Sequence, residues 1–164
     1  MEVQAMKERI FNIPEYEHTG IYAIVNIKKM MVYIGSSYNI KKRAIGHNNS
    51  LKSGKHSNKG LQEDYNKGYK LDFIILEKIE SEIDKDFLIA KEKMYMLSSI
   101  ENSFSIYNLI PKTSCKEQSE WIIQHLLWYF TRRYNTRENL INSFMEKYGV
   151  APAYMKNRKE ENRN

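Results

Sequence analysis

The chain has 164 residues, 41% of them apolar and 28% charged, with a formal net charge of +6. That length suits one domain, since domains run to about 100–200 residues; the composition excludes a disordered or fibrous chain, and the charge favours an anionic partner such as nucleic acid. The one cysteine, Cys115, leaves no internal disulfide and points to a reducing compartment; the first twenty residues lack the apolar core of a secretory signal and the most apolar run, WIIQHLLWYF, is broken by Gln124 and His125, so the reading is a cytoplasmic protein with no membrane anchor.

Residues 1–18, with Pro14 and mixed charge, read as a leading arm outside the core. IYAIV and MVYIG follow, rich in β-branched and aromatic residues and separated by NIKKM, which predicts an antiparallel hairpin. Ser36, Ser37 and Asn39 are natural caps, and a basic helix is expected from about Asn39 to Leu51 with Ile40, Ala44, Ile45 and Leu51 as its apolar stripe. Arg43 and His47 fall one turn apart on one face of that helix. A loop from Ser53 to Ser57 leads to LQEDYNKG, a short helix stopped by Gly68. LDFIILEKI is a third strand, apolar enough to be central. DKDFLIAKEKMYMLSSI then has helical spacing, with Asp84 as N-cap and Glu92 in its middle. SFSIYNLIP closes the unit, and Pro111 with KTSCKEQS marks a linker. Two helices, from about Lys116 to Tyr134 and Arg137 to Tyr148, the stop at Gly149 and a basic tail complete the chain.

GIY at Gly20–Tyr22, YIG at Tyr33–Gly35, then Arg43, His47, the phrase GKHSNKGLQ, Glu92, and YN at Tyr107 and Asn108 together resemble the GIY-YIG nuclease family, and within it the phage and intron-encoded homing endonucleases. Either triplet alone is a weak signal; both, with the polar residues following in order, are a strong one. The resemblance implies an α/β (α+β) module at residues 19–111, a small three-stranded antiparallel sheet flanked by helices, with residues 112–164 as a helical appendage. It also implies cleavage of double-stranded DNA with one Mg²⁺, for which Mn²⁺ can substitute, by a monomer or transient dimer of phage or mobile-element origin.

The residue types suit that chemistry. Hydrolysing a phosphodiester needs an activated water, neutralisation of charge building on the phosphate, and help for the leaving oxygen. Glu92 is a hard oxygen ligand for Mg²⁺, which takes one or two carboxylates and keeps its waters; by itself it would read as a solvated helix residue. Arg43 offers a planar fork to a phosphate; by itself it would be a surface arginine beside Lys41 and Lys42. The resemblance makes both functional. His47, with an ordinary pKa near working pH, is expected to relay a proton and so to help Tyr22, the candidate general base or the group that orients the water. Tyr33 is expected on the phosphate or its water network, His56 on a phosphate or leaving group or else as an exposed loop histidine, and Asn108 as a support through hydrogen bonds to backbone or to Tyr22. Gly20 and Gly35 are better explained by close backbone approach or a bulge than by phosphate cradling.

Lys41, Lys42, Lys55 and Asn58 are candidate DNA contacts. Lys156, Arg158 and Lys159 join them if the C-terminal helices form a DNA-binding unit of helix-turn-helix type; the alternative is a helical cap on the nuclease core. Three other readings stay open: a DNA-binding regulator on an inactive nuclease fold, a restriction-type enzyme, and an RNA-directed module.

Overall fold

The computed structural model describes residues 9–108 and, as a helix, 115–133. The expected helix after Arg137, the stop at Gly149, Pro111, and Lys156, Arg158 and Lys159 lie outside the described residues.

The hairpin forms as the pattern asks. β1 (Thr19–Asn26) and β2 (Met31–Ser37) pair antiparallel around a single 3₁₀ turn, Ile27–Lys29, with Met30 in the left-handed region at φ 50°. Asn26 accepts a bond from the Lys29 backbone N–H through its side chain, which fixes that turn. α1 (Ile40–Lys52) starts where Asn39 Oδ1 accepts from the Lys42 N–H at 2.9 Å, and it buries Ile40, Ala44, His47, Asn48 and Leu51 along one face. Ile45 falls off that face and is exposed, so the expected stripe is corrected by one residue. α2 (Lys59–Asn66) begins at Asn58, whose Oδ1 accepts from the Leu61 N–H, and stops before Gly68, whose φ of +79° suits a residue without Cβ. α3 (Lys85–Glu101) is capped by Asp84 as expected, its carboxylate accepting from the Phe87 N–H at 2.9 Å.

The sheet differs from expectation in two ways. β3 (Asp72–Ile79) lies at an edge and β1 inside, in the order β3-β1-β2-β4. β1 is buried nearly throughout, whereas β3 leaves Ile74 and Lys78 exposed, so an apolar run marked a strand with one well-covered face rather than a central one. A fourth strand, β4 (Ser105–Ile106), pairs parallel to β2, making a mixed sheet of four strands where three antiparallel strands were expected. Two residues are too few to carry a strand period, which is why only the structure shows it.

Two apolar clusters sandwich the sheet. One holds Tyr22, Ile24, Ile40, Ala44, Leu51, Leu61 and Phe73 on the α1/α2 side. The other joins Ile21, Ala23, Val32 and Ile34 to α3 and to α4 (Cys115–Arg133), which supplies Ile122, Ile123 and Leu126. Each such side chain contributes about 1.5–3 kcal/mol when fully buried, so α4 is docked on the core by its own apolar face. The leading arm also enters the core: Phe11 is buried with its ring 5.4 Å from Phe73, and the Ile10 N–H donates to Asn48 Oδ1 at 2.9 Å. Apolar contacts made across dozens of residues override the arm's unpatterned composition.

Candidate active site

Strand alternation places Tyr22 and Tyr33 on the face covered by α1 and α2. Tyr22 pairs across the hairpin with Gly35, and a register shift between Ile21 and Tyr22 on the β3 side marks the expected irregularity. A Cβ at Gly35 would sit 2.3 Å from the Tyr22 hydroxyl and 2.4 Å from its Cζ, so the glycine of the second triplet makes the room that the tyrosine of the first occupies. A Cβ at Gly20 would meet the Glu77 carbonyl at 2.5 Å.

Two groups converge on that phenol and a third stands behind one of them. Arg43 Nε donates to the Tyr22 oxygen at 3.0 Å, His47 Nε2 lies 2.7 Å from it, and His47 Nδ1 lies 2.7 Å from His56 Nε2. The one-turn spacing of Arg43 and His47 on α1 delivers both to the same atom. His56 Nδ1 in turn meets both backbone groups of Asn58, accepting from its N–H at 3.0 Å and facing its carbonyl at 3.3 Å. The chain can therefore hold its protons in two senses. With Asn58 N–H donating to His56, each ring passes an N–H forward and Tyr22 receives two donors, the arrangement that suits a phenolate. With His56 donating to the Asn58 carbonyl, each ring passes its N–H backward and His47 Nε2 accepts the proton of a neutral phenol.

Burial pushes the Tyr22 phenol well above its ordinary pKa, with the charges of Tyr33 and Glu92 acting in the same direction and Arg43 opposing them. Burial, with the nearby Arg43 and His56, pulls His47 down to about 3, and burial lowers His56 as well. Both rings are thus neutral at working pH. This replaces the ground on which His47 was expected to act: its burial, not a pKa near neutrality, defines it.

A histidine whose folded pKa is depressed stabilises the fold fully above its unfolded value near 6.5 and loses that contribution as pH falls toward 3. Unfolding midpoints should therefore drop between pH 6.5 and 4, by up to about 1.4 kcal/mol per pH unit from His47 alone. ¹⁵N NMR should show His47 as a neutral ring at pH 6, and an imidazolium signal from His47 at that pH would overturn the assignment.

Glu92 approaches from the other face. Val32, Ile34 and Ser36 point there, toward α3, and Ser36 Oγ donates to Glu92 Oε2 at 2.7 Å. The half-buried Glu92 carboxylate is close enough to raise the Tyr22 pKa. Its access depends on how short β4 is: β4 covers β2 only at Met31 and Val32, after which the Asn108 side chain takes over, accepting from the Ile34 N–H at 3.0 Å and donating to the Ile34 carbonyl at 2.7 Å. β2 runs on to Ser37 past this seal, and at that end of the strand Ser36 holds Glu92 on one face while Tyr22, paired with Gly35, lies on the other. The donor set there, one carboxylate flanked by hydroxyls, fits a hard divalent cation that keeps most of its waters. Among the described residues no group of three or more His, Cys, Asp or Glu is arranged to hold a metal, so the fit is to a single-carboxylate site.

Several expected site residues take different places. His56 is buried, both ring nitrogens engaged within the protein, and is neither an exposed loop histidine nor free for a phosphate. Asn58 is 4% exposed and spent as the α2 cap, its Nδ2 donating to the Tyr107 carbonyl; a buried, bonded amide is not a DNA contact. Lys41 is paired with Glu15 at 2.6 Å and Glu17 at 2.9 Å, which raise it to about 12, so its charge is already matched. Lys42 and Lys55 are exposed. Tyr33 is half-buried, with its ring 5.4 Å from His47, whereas Tyr22 is fully buried. Asn108 bonds backbone and not Tyr22.

Sequence reasoning missed two groups. Ser36 read as one of several caps, and nothing local announces its bond across 56 positions. Buried Asp64 accepts from Lys29 at 2.8 Å, Tyr107 at 2.5 Å and Asn26 at 3.3 Å, tying the hairpin turn and the strand-end tyrosine to α2. Burial opposes its charge, but Lys29, Tyr107 and Asn26 hold its carboxyl below the usual range.

Comparison with known proteins finds one matching family and similar solved structures. The family model described as the GIY-YIG catalytic domain matches residues 18–99. Two solved structures are similar: the catalytic domain of the homing endonuclease I-TevI, at 32% identity and TM-score 0.50, covering 56% of this chain and 98% of that one; and a point mutant of the catalytic domain of the intron endonuclease I-TevI, at 32% identity and TM-score 0.49, covering 58% and 96%. No curated protein matches. No helix among the described residues is long and apolar enough to cross a membrane.

Proposed function

The chain belongs to the GIY-YIG family, and from that membership we propose that it is an endonuclease that hydrolyses phosphodiester bonds of double-stranded DNA with one divalent cation, Mg²⁺ or Mn²⁺, held by Glu92. The observation that supports this most is the convergence of Arg43 and His47 on the Tyr22 oxygen, at 3.0 and 2.7 Å, beside a carboxylate reaching the same strand end.

In the two-donor sense of the chain, His47 N–H and Arg43 Nε–H stabilise Tyr22 as a phenolate once its proton has left to solvent, and the phenolate then takes the proton of the attacking water and returns to a neutral phenol. Tyr22 is 0% exposed, so DNA binding must admit the attacking water to its oxygen, while the exposed Arg43 keeps Nε on Tyr22 and offers its terminal amino groups to the scissile phosphate. Tyr33, on the open side of His47, orients the phosphate or its waters. His56 acts only through His47. A divalent cation bound at Glu92 supplies Lewis-acid neutralisation of charge on the phosphate and leaving oxygen. Lys42 and Lys55, with Lys156, Arg158 and Lys159 beyond the described residues, contact the DNA backbone, and an origin in a phage or mobile element accords with the homing relatives.

Supercoiled plasmid incubated with the full chain and Mg²⁺ is expected to be nicked or linearised, and EDTA to stop this. A plasmid that is shifted in a gel yet stays intact with either Mg²⁺ or Mn²⁺ would overturn the reading in favour of a DNA-binding regulator.

A further inference from the structure

Ser36 and Ser37 sit side by side and do different work. Ser37 Oγ is spent locally, donating to the Asn39 carbonyl at 3.0 Å and accepting from the Asn39 N–H at 3.1 Å, which shapes the turn into α1. Ser36 is at the end of the row Val32, Ile34, Ser36 on the α3 face; the first two are 4% and 1% exposed. Where that row calls for a third apolar side chain, the chain places a hydroxyl, and it donates to Glu92 Oε2 at 2.7 Å. That length is typical of a charge-assisted O–H···O⁻ bond. Among the described residues none bonds Oε1.

We propose that Ser36 is a positioning residue for the cation site: its hydroxyl fixes the Glu92 carboxylate and leaves Oε1 as the oxygen presented to a divalent cation. This rests on the reading of Glu92 as the ligand given above. The half-buried glutamate sits on a long side chain with three rotatable bonds, and one oriented donor removes most of the freedom that would otherwise be lost on binding. The bond links β2 directly to α3, so the strand that carries Tyr33 also sets the direction of the carboxylate.

The test is calorimetric titration of Ca²⁺ into the full chain bound to a short DNA duplex, with Ser36→Ala, Ser36→Thr and Glu92→Gln in parallel and melting curves for each. Partners one step behind a ligand are worth about 10–100-fold in metal affinity, so Ser36→Ala is expected to weaken Ca²⁺ about ten-fold, to raise the half-saturating Mg²⁺ for cleavage to match, and to leave the DNA KM in place. Ser36→Thr retains the hydroxyl and is expected to bind as the parent does. If Ser36→Ala does not fold, Ser36→Val against Ser36→Thr gives the same comparison at equal shape. Unchanged Ca²⁺ affinity in Ser36→Ala, or in Val relative to Thr, together with loss in Glu92→Gln, overturns the role of Ser36 and leaves Glu92 standing. Unchanged affinity in Glu92→Gln overturns both.

Discussion

Glu92→Gln is expected to lower plasmid cleavage by about 10³-fold or more while the protein stays folded, because ligand-held charge neutralisation is worth several kcal/mol in the transition state and each 1.4 kcal/mol is a factor of ten. Glutamine keeps the shape of the side chain and still accepts from the Ser36 hydroxyl, now 2.7 Å from the carboxylate. The fold contribution of this half-buried position is therefore conserved and only the charge is removed. Initial rates with saturating Mg²⁺, beside a thermal melt, check it. A rate within ten-fold of the parent would show that the carboxylate is not the ligand.

Gly35→Ala is expected to cost both stability and activity. The added methyl would lie 2.3 Å from the Tyr22 hydroxyl and 2.4 Å from Cζ, far inside contact distance. Tyr22 cannot swing aside cheaply: it is fully buried, stacked on Phe73 at a centroid distance of 4.9 Å and held by Arg43 and His47. Overpacking of this kind costs about 1–3 kcal/mol, and any displacement of the phenol moves the atom on which the site converges. A melting midpoint lowered by several degrees, with cleavage reduced more than the loss of folded protein explains, is the expected outcome; a variant as stable and active as the parent would mean that Tyr22 is free to relocate. A methyl added at Gly46, by contrast, would meet nothing within 4 Å, so Gly46→Ala serves as the control that isolates the effect at position 35.

The hairpin was readable because β-branched and tyrosine residues alternate on either side of a short break, and the helices because Asn39 and Asp84 cap them where the apolar spacing begins. The site was readable only through the two triplets. Glu92 in isolation is one acid between Lys91 and Lys93, and a charged residue in mid-helix is ordinarily solvated. His56 lies in GKHSN, which reads as a loop on composition, and its burial depends on α1 and α2 closing around it. The place of β3 at the edge was hidden because an apolar run does not say how many neighbours a strand has. Asn26, Asp64 and Tyr107 come together across 38 and 81 positions, beyond any local pattern.

The bond between Ser36 and Glu92 joins groups 56 positions apart, and that between Asn108 and Ile34 spans 74. Long loops close late, since their entropy is lost before their contacts repay it. During synthesis the phenol, the arginine and both imidazoles emerge well before the carboxylate, on a stretch that forms from hairpin and helix contacts. No partial chain that stops short of α3 carries Glu92, so under the proposed reading a half-grown chain would hold the phenol, the arginine and the imidazoles without the carboxylate that is to bind the cation.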